Sequence, residues 1–420
     1  MQRLAREKRP EMVLFFLLIA FAALGNGLSD SIYGNYFNEV YHVTAAQRGF
    51  IEFPRELPGF LCVILITALG AFGDLRAAVV AQILACAGLT ALGLLTPPFG
   101  VMLLFLFINS TGMHLFMPLR DSIGMSLAEP GRMGQRMGQY ASAQAFIGMA
   151  AGLLVFFGFR FGFFTFQADV KWVFLAGAMA FAGAALIAVL LVARRGSGTV
   201  MKRKFKITFR KQYKYYYFLT ILKGVQKQIA YVYGSWVIIQ LLFKGADTMS
   251  MLLIVGSFLS IFFMRYVGHW MDRYGIKKMM YVEAFAFIII YALYGVVVYF
   301  IFARGAASLA WAAISVYALF ILDRLSMQIS IVNSIYLRSI SWSDDEVTQT
   351  LSTGTSLDHI VSIVAASVCG LIWVKWGPQW VFFTASIFSL GNLIVARMVK
   401  PEEEAALAKQ MRAEMGAKAA

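Results

Sequence analysis

Charged residues are scarce in this sequence, where Asp, Glu, Lys and Arg together make up only 14% of 420 residues, while 60% are hydrophobic. A water-soluble fold has too little interior to hide so much apolar surface, so most of the chain must face lipid. Its apolar runs are hydrophobic on every side and lack the alternating pattern of an outer-membrane β-barrel. Because lipid offers the backbone amides no hydrogen-bond partners, the sequence predicts membrane-spanning α-helices.

Cysteine is also rare. Cys62, Cys86 and Cys369 each lie in an apolar run, where a thiol packs as a small hydrophobic group, and no CxxC pair suggests a redox or metal site. The sequence also lacks the GxxxxGK[ST] phosphate loop, the GxSxG nucleophile motif and the HExxH zinc motif. We therefore expect neither an ATP-driven pump nor an enzyme, and neither a cofactor nor a bound metal ion.

Twelve stretches of the sequence are apolar and long enough to cross about 30 Å of hydrocarbon, which takes roughly 20 helical residues. They lie near residues 12–37, 49–71, 77–96, 99–119, 137–159, 172–193, 215–242, 248–271, 279–302, 308–335, 351–374 and 379–398. The second and tenth stretches carry the most polar residues, but leaving either out would contradict the orientation that the loop charges indicate. The predicted fold class is therefore an all-α integral membrane protein with twelve transmembrane helices.

Lys and Arg are concentrated in the loops on one side of the predicted helices, which include the N-terminal tail and the run 194–214. The positive-inside rule then places both termini in the cytoplasm. The net charge of +15 needs no nucleic acid to explain it, since anionic lipid headgroups attract basic segments at the cytoplasmic face. We expect membrane lipids as partners, no nucleic acid, and a multi-pass protein of a plasma membrane, with a bacterial inner membrane favoured.

The basic run 194–214 also divides the chain into an N-terminal half, 1–193, and a C-terminal half, 215–400, which a cytoplasmic tail at 401–420 follows. Each half carries a matching motif at the turn between its second and third predicted helices. The motifs contain Gly70, Asp74 and Arg76 in the first half, and Gly268, Asp272, Arg273, Gly275 and Lys277 in the second. An internal repeat of this size is typical of a two-lobed transporter whose site lies between the lobes.

The stretch from Gly268 to Lys278 resembles the signature G-x-x-x-D-R-x-G-x-K-K of the major facilitator superfamily. The resemblance implies two pseudo-symmetric six-helix lobes, a central cavity lined mainly by the first helix of each three-helix unit, alternating access by rocking of the lobes, and a monomer. In such a motif Gly268 would permit close helix approach and Asp272 would act as a charged latch. The first copy departs from the pattern, because Leu75 stands where a basic residue is usual and no glycine follows Arg76, which predicts a weakened latch.

Charged side chains inside membrane helices cost roughly 2.5 to 3.5 kcal/mol each to insert, so polar residues there are candidate site residues. In the first helix, Asn26, Asp30 and Tyr33 are spaced i, i+4 and i+7 and would share one face. We expect Asp30 to take a proton or to meet the cationic end of a substrate. In the fourth helix, Asn109 and His114 are further candidates, for which a packing role stays open.

The seventh helix carries Lys223, Lys227 and Tyr231 at i, i+4 and i+8, with Trp236 beyond them. Two ammonium groups one turn apart repel each other unless carboxylates or an anionic ligand lie opposite. The favoured partner is Asp323 of the tenth helix, paired with Lys227 or Lys223. This basic face predicts a site for an organic anion or a zwitterion.

The tenth helix supplies Asp323, Arg324 and Gln328 to the predicted substrate site. Asp323 has a second potential partner in its neighbour Arg324, and this alternative stays open. The eleventh helix supplies Asp358 and His359, which we assign to coupling or gating. A structural packing role is the alternative for His359.

The second helix begins with charges and helix breakers together. Glu52 and Glu56 lie one turn apart with Arg55 between them, and Pro54 and Pro58 interrupt the backbone hydrogen-bond ladder. Irregular backbone at membrane depth is tolerated where it lines a cavity or is buried in protein. We interpret the three charged residues as an outer gate or coupling cluster, with a surface turn and snorkelling side chains as the alternative.

The sequence thus favours a secondary active transporter of a small polar or charged organic solute, an anion or zwitterion above all, with a proton as the coupling ion. Two alternatives stay open. One is an exporter of amphipathic or cationic compounds in exchange for protons, and the other is a transporter-like receptor that binds a solute without moving it. A Gly-Pro pair in the segment 144–152 would make it resemble the proton-coupled drug antiporters. The segment lacks this pair, and its absence counts against the exporter.

Overall fold

The computed structural model describes residues 9–69, 72–129, 132–196, 210–305 and 309–419 of the chain. These residues are almost entirely helical, and no β-strand occurs among them. The predicted all-α class is therefore correct for this part of the chain. Gly70 and residues 197–209 of the basic run lie outside the described residues.

Seven helices precede the basic run. They are α1 (Arg9–Asp30), α2 (Tyr33–Tyr41), α3 (Ala45–Leu69), α4 (Asp74–Leu94), α5 (Phe99–Leu127), α6 (Met133–Arg160) and α7 (Trp172–Arg195). Eight more follow it: α8 (Lys214–Gln228), α9 (Ala246–Arg304), α10 (Ala310–Ile329), α11 (Ile331–Ile340), α12 (Asp344–Trp376), α13 (Pro378–Phe388), α14 (Leu390–Met398) and α15 (Pro401–Ala419). After α8 the helix continues through two π-helical turns, Ile229–Tyr233 and Val237–Leu241, which flank Gly234–Trp236.

Within the described residues, nine helical stretches are long and apolar enough to cross a membrane. One of them is α9, whose 59 residues are divided at Gly275, where φ is +76° and ψ is 169°. Such a left-handed φ favours glycine, which explains the residue at this turn of the second motif. Two predicted spans are not among the nine, because α3 carries several charges and the stretch 214–241 is interrupted by π-helical turns. The count of twelve spans stays a prediction.

The chain forms two compact units. The first comprises Met1–His42, Phe53–Phe205 and Gly245–Ile254, and the second comprises Val43–Glu52, Lys206–Lys244 and Val255–Ala420. Each unit thus contains a short segment from the other half of the sequence, and the divisions fall inside α3 and α9. The lobes predicted at 1–193 and 215–400 stay a prediction.

Close packing of small residues holds the first unit together, where α4 packs against α5 and α7, and α1 against α6 and α7. A Cβ added to Gly112 of α5 would lie 2.3 Å from the carbonyl oxygen of Ala81, and one added to Gly88 of α4 would lie 2.5 Å from that of Phe105. Helices can approach this closely only where a side chain is missing, as at small-residue contacts in other membrane proteins.

The first motif lies at the start of α4. Asp74 is buried and accepts a hydrogen bond from Ser122 Oγ at 3.3 Å, while Arg76 is exposed. Gly73 immediately before the helix has φ +80°. A carboxylate in the first turn also suits the positive end of the helix dipole. The buried Asp74 is thus a helix-start residue that also contacts α5.

The second motif differs from the prediction in one respect. A Cβ added to Gly268 would meet no described atom within 4 Å, so the predicted close helix approach does not occur there. Asp272 and Arg273 are exposed. Lys277 Nζ donates to the carbonyl oxygen of Val399 at 2.9 Å, just after α14 ends. A cation at a helix C-terminus stabilises the terminal carbonyl groups, so Lys277 links the turn at Gly275 to the C-terminal end of α14.

Candidate functional site

Two predicted site residues of the first unit contact each other. Tyr33 begins α2, is buried, and donates from its hydroxyl to Asn109 Oδ1 at 2.9 Å. Asn109 in turn donates from Nδ2 to the carbonyl oxygen of Ala85 at 2.8 Å. Three helices, α2, α5 and α4, are therefore joined by one buried polar network, a role that the packing alternative for Asn109 anticipates.

The helical face predicted for Asn26, Asp30 and Tyr33 is interrupted, because α1 ends at Asp30 and a turn precedes α2. Arg55 of α3 nevertheless brings two of these residues together. Its guanidinium forms an ion pair with Asp30 at 2.6 Å, and its central carbon lies 5.4 Å from the centre of the Tyr33 ring. Asn26 Oδ1 is buried without a hydrogen-bond partner among the described residues.

His114 and Glu56 lie beside this group. His114 Nδ1 is 3.1 Å from Ser110 Oγ, and Ser110 donates to the backbone carbonyl of Arg55 at 2.5 Å. Potential ligand atoms of Glu56 and His114 lie within 4.8 Å of each other. The first unit thus gathers an imidazole, two carboxylates and a guanidinium around the middle of α3.

Replacing Asn109 by Leu is expected to lower the free energy of unfolding by about 1–3 kcal/mol, because the Tyr33 hydroxyl loses its buried partner. Thermal unfolding in detergent measures the loss. In the double variant Tyr33→Phe with Asn109→Leu no hydroxyl is left unpaired, so its loss should be smaller than the sum of the single losses. Additive losses would contradict the network.

One expectation for α3 is wrong. The helix runs without interruption from Ala45 to Leu69, through Pro54 and Pro58, so the predicted break in the backbone is absent. Neighbouring helices and Ser or Thr hydroxyls can compensate for proline in a membrane helix, and Ser110 supplies a hydroxyl here.

Two members of the predicted cluster of Glu52, Arg55 and Glu56 have ion-pair partners outside it. Glu52 forms an ion pair with Arg48 at 2.6 Å, with side chains only 2% and 4% exposed, while Arg55 pairs with Asp30. The i, i+4 spacing along α3 favours Arg48 as the partner of Glu52. Arg48 was not among the residues predicted from the sequence.

In the second unit the start of α3 packs very closely on α12. A Cβ added to Gly49 would lie 2.3 Å from the carbonyl oxygen of Ala366 and 2.7 Å from Tyr233 Oη, which donates to that same carbonyl. A Cβ added to Gly370 would lie 2.6 Å from the carbonyl oxygen of Ala45. Gly49 and Gly370 therefore allow the backbones of α3 and α12 to approach each other this closely. The sequence did not indicate this contact, because a single glycine near a charged segment has no distinctive pattern.

The basic face of α8 has a different partner from the predicted one. Lys227 Nζ lies 2.8 Å from Asp358 Oδ2 of α12, and both side chains are about four-fifths buried. Asp323 instead accepts a hydrogen bond from Tyr291 at 3.1 Å. The favoured pairing of Lys227 with Asp323 is therefore wrong, because α8 packs against α12 in this unit and turns Lys227 toward that helix.

Arg324 lies between two aromatic rings. Its guanidinium carbon is 4.8 Å from the centre of the Tyr231 ring and 5.1 Å from that of Phe320. Its Nε is buried without a hydrogen-bond partner, and no carboxylate forms a salt bridge with it among the described residues. The charge of the adjacent Asp323 still acts on it. A guanidinium stacked on aromatic rings with unused donors is suited to bind an anion.

The remaining predicted residues occupy mixed positions. Trp236 is completely buried, while Gln328 and His359 are half-buried. Sequence reasoning missed Glu283, a buried carboxylate in α9 that accepts hydrogen bonds from Ser330 and Asn333. An acidic residue inside an apolar run is the signal that could have identified Glu283.

An apolar cavity of about 420 Å³ lies in the second unit between α8, α12 and α13. Its lining includes Val225, Val364 and Phe388, with Thr384 and Cys369 as the residues that carry a polar atom in the side chain. A charged solute would meet no ionic partner in this cavity. The candidate site therefore comprises the charged residues Lys227, Asp358 and Arg324, of which Arg324 contacts Tyr231, four residues after Lys227 in the same helical stretch.

No family model matches the sequence, and no curated protein matches it either. Solved structures do resemble the fold. A mutant of the nucleoside transporter NupG has a TM-score of 0.72 at 14% identity, over 93% of this chain and 100% of its own. A POT family transporter in complex with 5-aminolevulinic acid gives 0.71 at 11% identity, over 92% and 95%.

A D-xylose-proton symporter gives a TM-score of 0.67 at 14% identity, over 94% of this chain and 98% of its own. Identities this low show the fold alone. The chain therefore has the fold of these transporters, the same kind of fold that the resemblance at Gly268–Lys278 implies. With its apolar helices, this fold makes the chain a multi-pass membrane protein.

Proposed function

We propose that this protein is a secondary active transporter of a small organic anion or zwitterion, which it moves by alternating access between two lobes. The transporter fold and the membrane-crossing helices support the general function. The observation that carries the substrate class is Arg324, a half-buried guanidinium that has no salt bridge within the described residues.

A cation at membrane depth is costly unless an opposite charge or a polar partner compensates it. Arg324 is held in place by Tyr231 and Phe320, but its donors are not all used. A carboxylate or phosphate on a solute would supply the missing acceptor, and the planar guanidinium binds such groups through two parallel hydrogen bonds. Lys227, which lies on α8, provides a second cation whose partner Asp358 can exchange with the solute.

The architecture that goes with this function has twelve transmembrane helices in two six-helix lobes, with both termini in the cytoplasm. The basic run 194–214 would then lie against anionic lipid headgroups of a plasma membrane. We propose a monomer, driven by a proton gradient. Asp323 is one candidate for proton binding, since it is buried in α10 and hydrogen-bonded to Tyr291.

The closely packed start of α3 is the proposed outer gate. Arg48 and Glu52 form a buried ion pair there, and Gly49 lies against α12 without any side chain between them. A contact made by close backbone approach can open as a unit if the segment moves. On this proposal, separation of residues 43–52 from α12 admits the solute.

Thermal unfolding of the purified protein, screened against organic anions, amino acids, sugars and lipophilic cations, tests the substrate class. We expect an anion or zwitterion to raise the unfolding temperature by several degrees in the unsubstituted protein, because a ligand that binds only the folded state stabilises it. The same solute should have no effect on Arg324→Gln, which keeps a polar side chain with N–H donors but removes the charge.

Lys409→Gln is the matched control, since Lys409 lies exposed on α15 and its loss should leave the response intact. Stabilisation by lipophilic cations alone would contradict the proposal and favour an exporter of cationic compounds. Solute binding without counterflow in vesicles would show a receptor and not a transporter.

A further inference from the structure

Glu283 is a carboxylate in α9 for which the proposed transport site has no use. Only 1% of the residue is exposed. Its Oε1 accepts hydrogen bonds from Ser330 Oγ at 2.5 Å and from Asn333 Nδ2 at 3.4 Å. Its Oε2 is buried without a hydrogen-bond partner among the described residues, and the same holds for Asn333 Oδ1. Two unpartnered acceptor oxygens in one buried cluster need a hydrogen or a cation.

The cluster lies at a break in a helix. Ile329 ends α10, Ile331 begins α11, and Ser330 between them has φ −60° and ψ −7°. The terminal carbonyl groups of a helix carry partial negative charge, which favours a cation near them. Interrupted helices inside membrane proteins commonly line such sites, because their backbone is free to bind ligands.

An ionised carboxylate buried to this degree is costly unless a positive charge compensates it. Within the described chain, Lys223 of α8 is the charged group that acts on Glu283, while the facing groups of Ser330 and Asn333 are neutral. No salt bridge joins Lys223 to Glu283 in this part of the chain. The carboxylate is therefore compensated only at a distance.

Resting on the proposed transport function, we propose that Glu283 is a proton-binding site that controls Lys223. A proton bound to Oε2 neutralises the carboxyl group and leaves the Lys223 ammonium available to the anionic end of a solute. When the proton leaves, Glu283 becomes an anion and draws Lys223 away from the solute. Proton and anionic solute therefore bind together, which makes the coupling a symport.

Infrared difference spectroscopy of the full chain in detergent, between acidic and alkaline pH, tests the site with the proton itself as the probe. A protonated buried carboxyl group gives a carbonyl band that disappears on deprotonation. We expect part of this band to be missing in Glu283→Gln and to appear at a shifted frequency in Glu283→Asp. The aspartate variant keeps a carboxyl group, so it assigns the band even if the glutamine variant does not accumulate.

The spectra are recorded in buffers with and without sodium. A band that is unchanged in both variants would overturn the proposal. A spectral change that follows the sodium concentration and not pH would overturn it as well, because it would assign the cluster to a metal ion.

Lysine acylation, measured by mass spectrometry at one alkaline pH, tests the control of Lys223. On this proposal the Glu283 anion draws the Lys223 side chain toward itself and away from the reagent, so we expect Lys223 to react several-fold faster in Glu283→Gln than in the unsubstituted protein. Exposed Lys409 should react at the same rate in both. Equal rates at Lys223 would show that Glu283 has a structural role only and would overturn the proposal.

Neither measurement requires a transported solute, so the two proposals fail separately. A Glu283 band and a responsive Lys223, in a protein that no solute stabilises, would leave the proton site in place and overturn the transport function. Stabilisation by an anion without any signal from Glu283 would overturn the proton site alone.

Discussion

The Gly49→Val variant is expected to unfold at a markedly lower temperature than the unsubstituted protein and to expose the thiol of Cys369. The first atom of any side chain at this position would lie 2.3 Å from the carbonyl oxygen of Ala366. That carbonyl belongs to the backbone of α12, which can retreat only if the whole helix moves. Overpacking of this kind costs typically 1–3 kcal/mol, and a backbone clash raises the expected loss to about 3 kcal/mol or more.

Thermal unfolding measures the stability, and labelling with a membrane-impermeant maleimide measures the exposure. Cys369 is a natural reporter, because it is only 6% exposed and precedes Gly370, which faces the start of α3. Mass spectrometry separates its label from those of the other two cysteines. Gly138→Ala is the control, since a Cβ there would meet no described atom within 4 Å. Unchanged stability and a protected Cys369 in Gly49→Val would refute the close contact.

The Lys227→Ala variant is expected to lose solute-dependent stabilisation and to unfold more easily even without solute. Removal of the Lys227 side chain leaves Asp358 without the ammonium group that lies 2.8 Å from its Oδ2. Breaking a fully buried pair costs 3–5 kcal/mol, and the partial exposure of these two side chains reduces the expected loss to about 2 kcal/mol. Thermal unfolding with and without the solute found in the screen measures both effects.

The double variant Lys227→Met with Asp358→Asn separates the two effects. It carries no unpaired charge, so its stability without solute should return toward that of the unsubstituted protein, while the response to solute should stay absent. A double variant no more stable than Lys227→Ala would contradict the ion pair. A full solute response in Lys227→Ala would remove this lysine from the binding site.

The class of fold followed from the sequence because the requirements of a membrane are simple. Long apolar runs must become helices in lipid, and loop charge indicates orientation, so composition alone led to an all-α membrane protein. The motif at Gly268–Lys278 gave the type of fold. The turn within this motif was predicted correctly from the gap between two apolar runs, and Gly275 has there a positive φ that few other residues adopt.

The side-chain contacts of the candidate site were predicted less accurately from the sequence, because they depend on how each helix is rotated about its axis. Lys227 lies on a face that the sequence showed to be basic, but spacing along α8 does not reveal whether α10 or α12 lies opposite. Asp358 was therefore predicted as a coupling or gating residue without its partner, which the structure shows to be Lys227. Tyr33 was expected on the same helical face as Asp30, but a turn between α1 and α2 separates the two residues. They are brought together by Arg55, which contacts both side chains.

The π-helical turns after α8 have a consequence for how related chains should be aligned. A π turn contains one residue more than the α-helical turn it replaces, and one residue corresponds to about 100° of rotation. Tyr231 is 48% exposed and Trp236 completely buried, on a stretch that contains two such turns. A relative with one residue fewer between 229 and 241 would simply have an ordinary turn there. Gaps in an alignment of this helix therefore belong inside the predicted membrane span, at a place where insertions and deletions are usually forbidden.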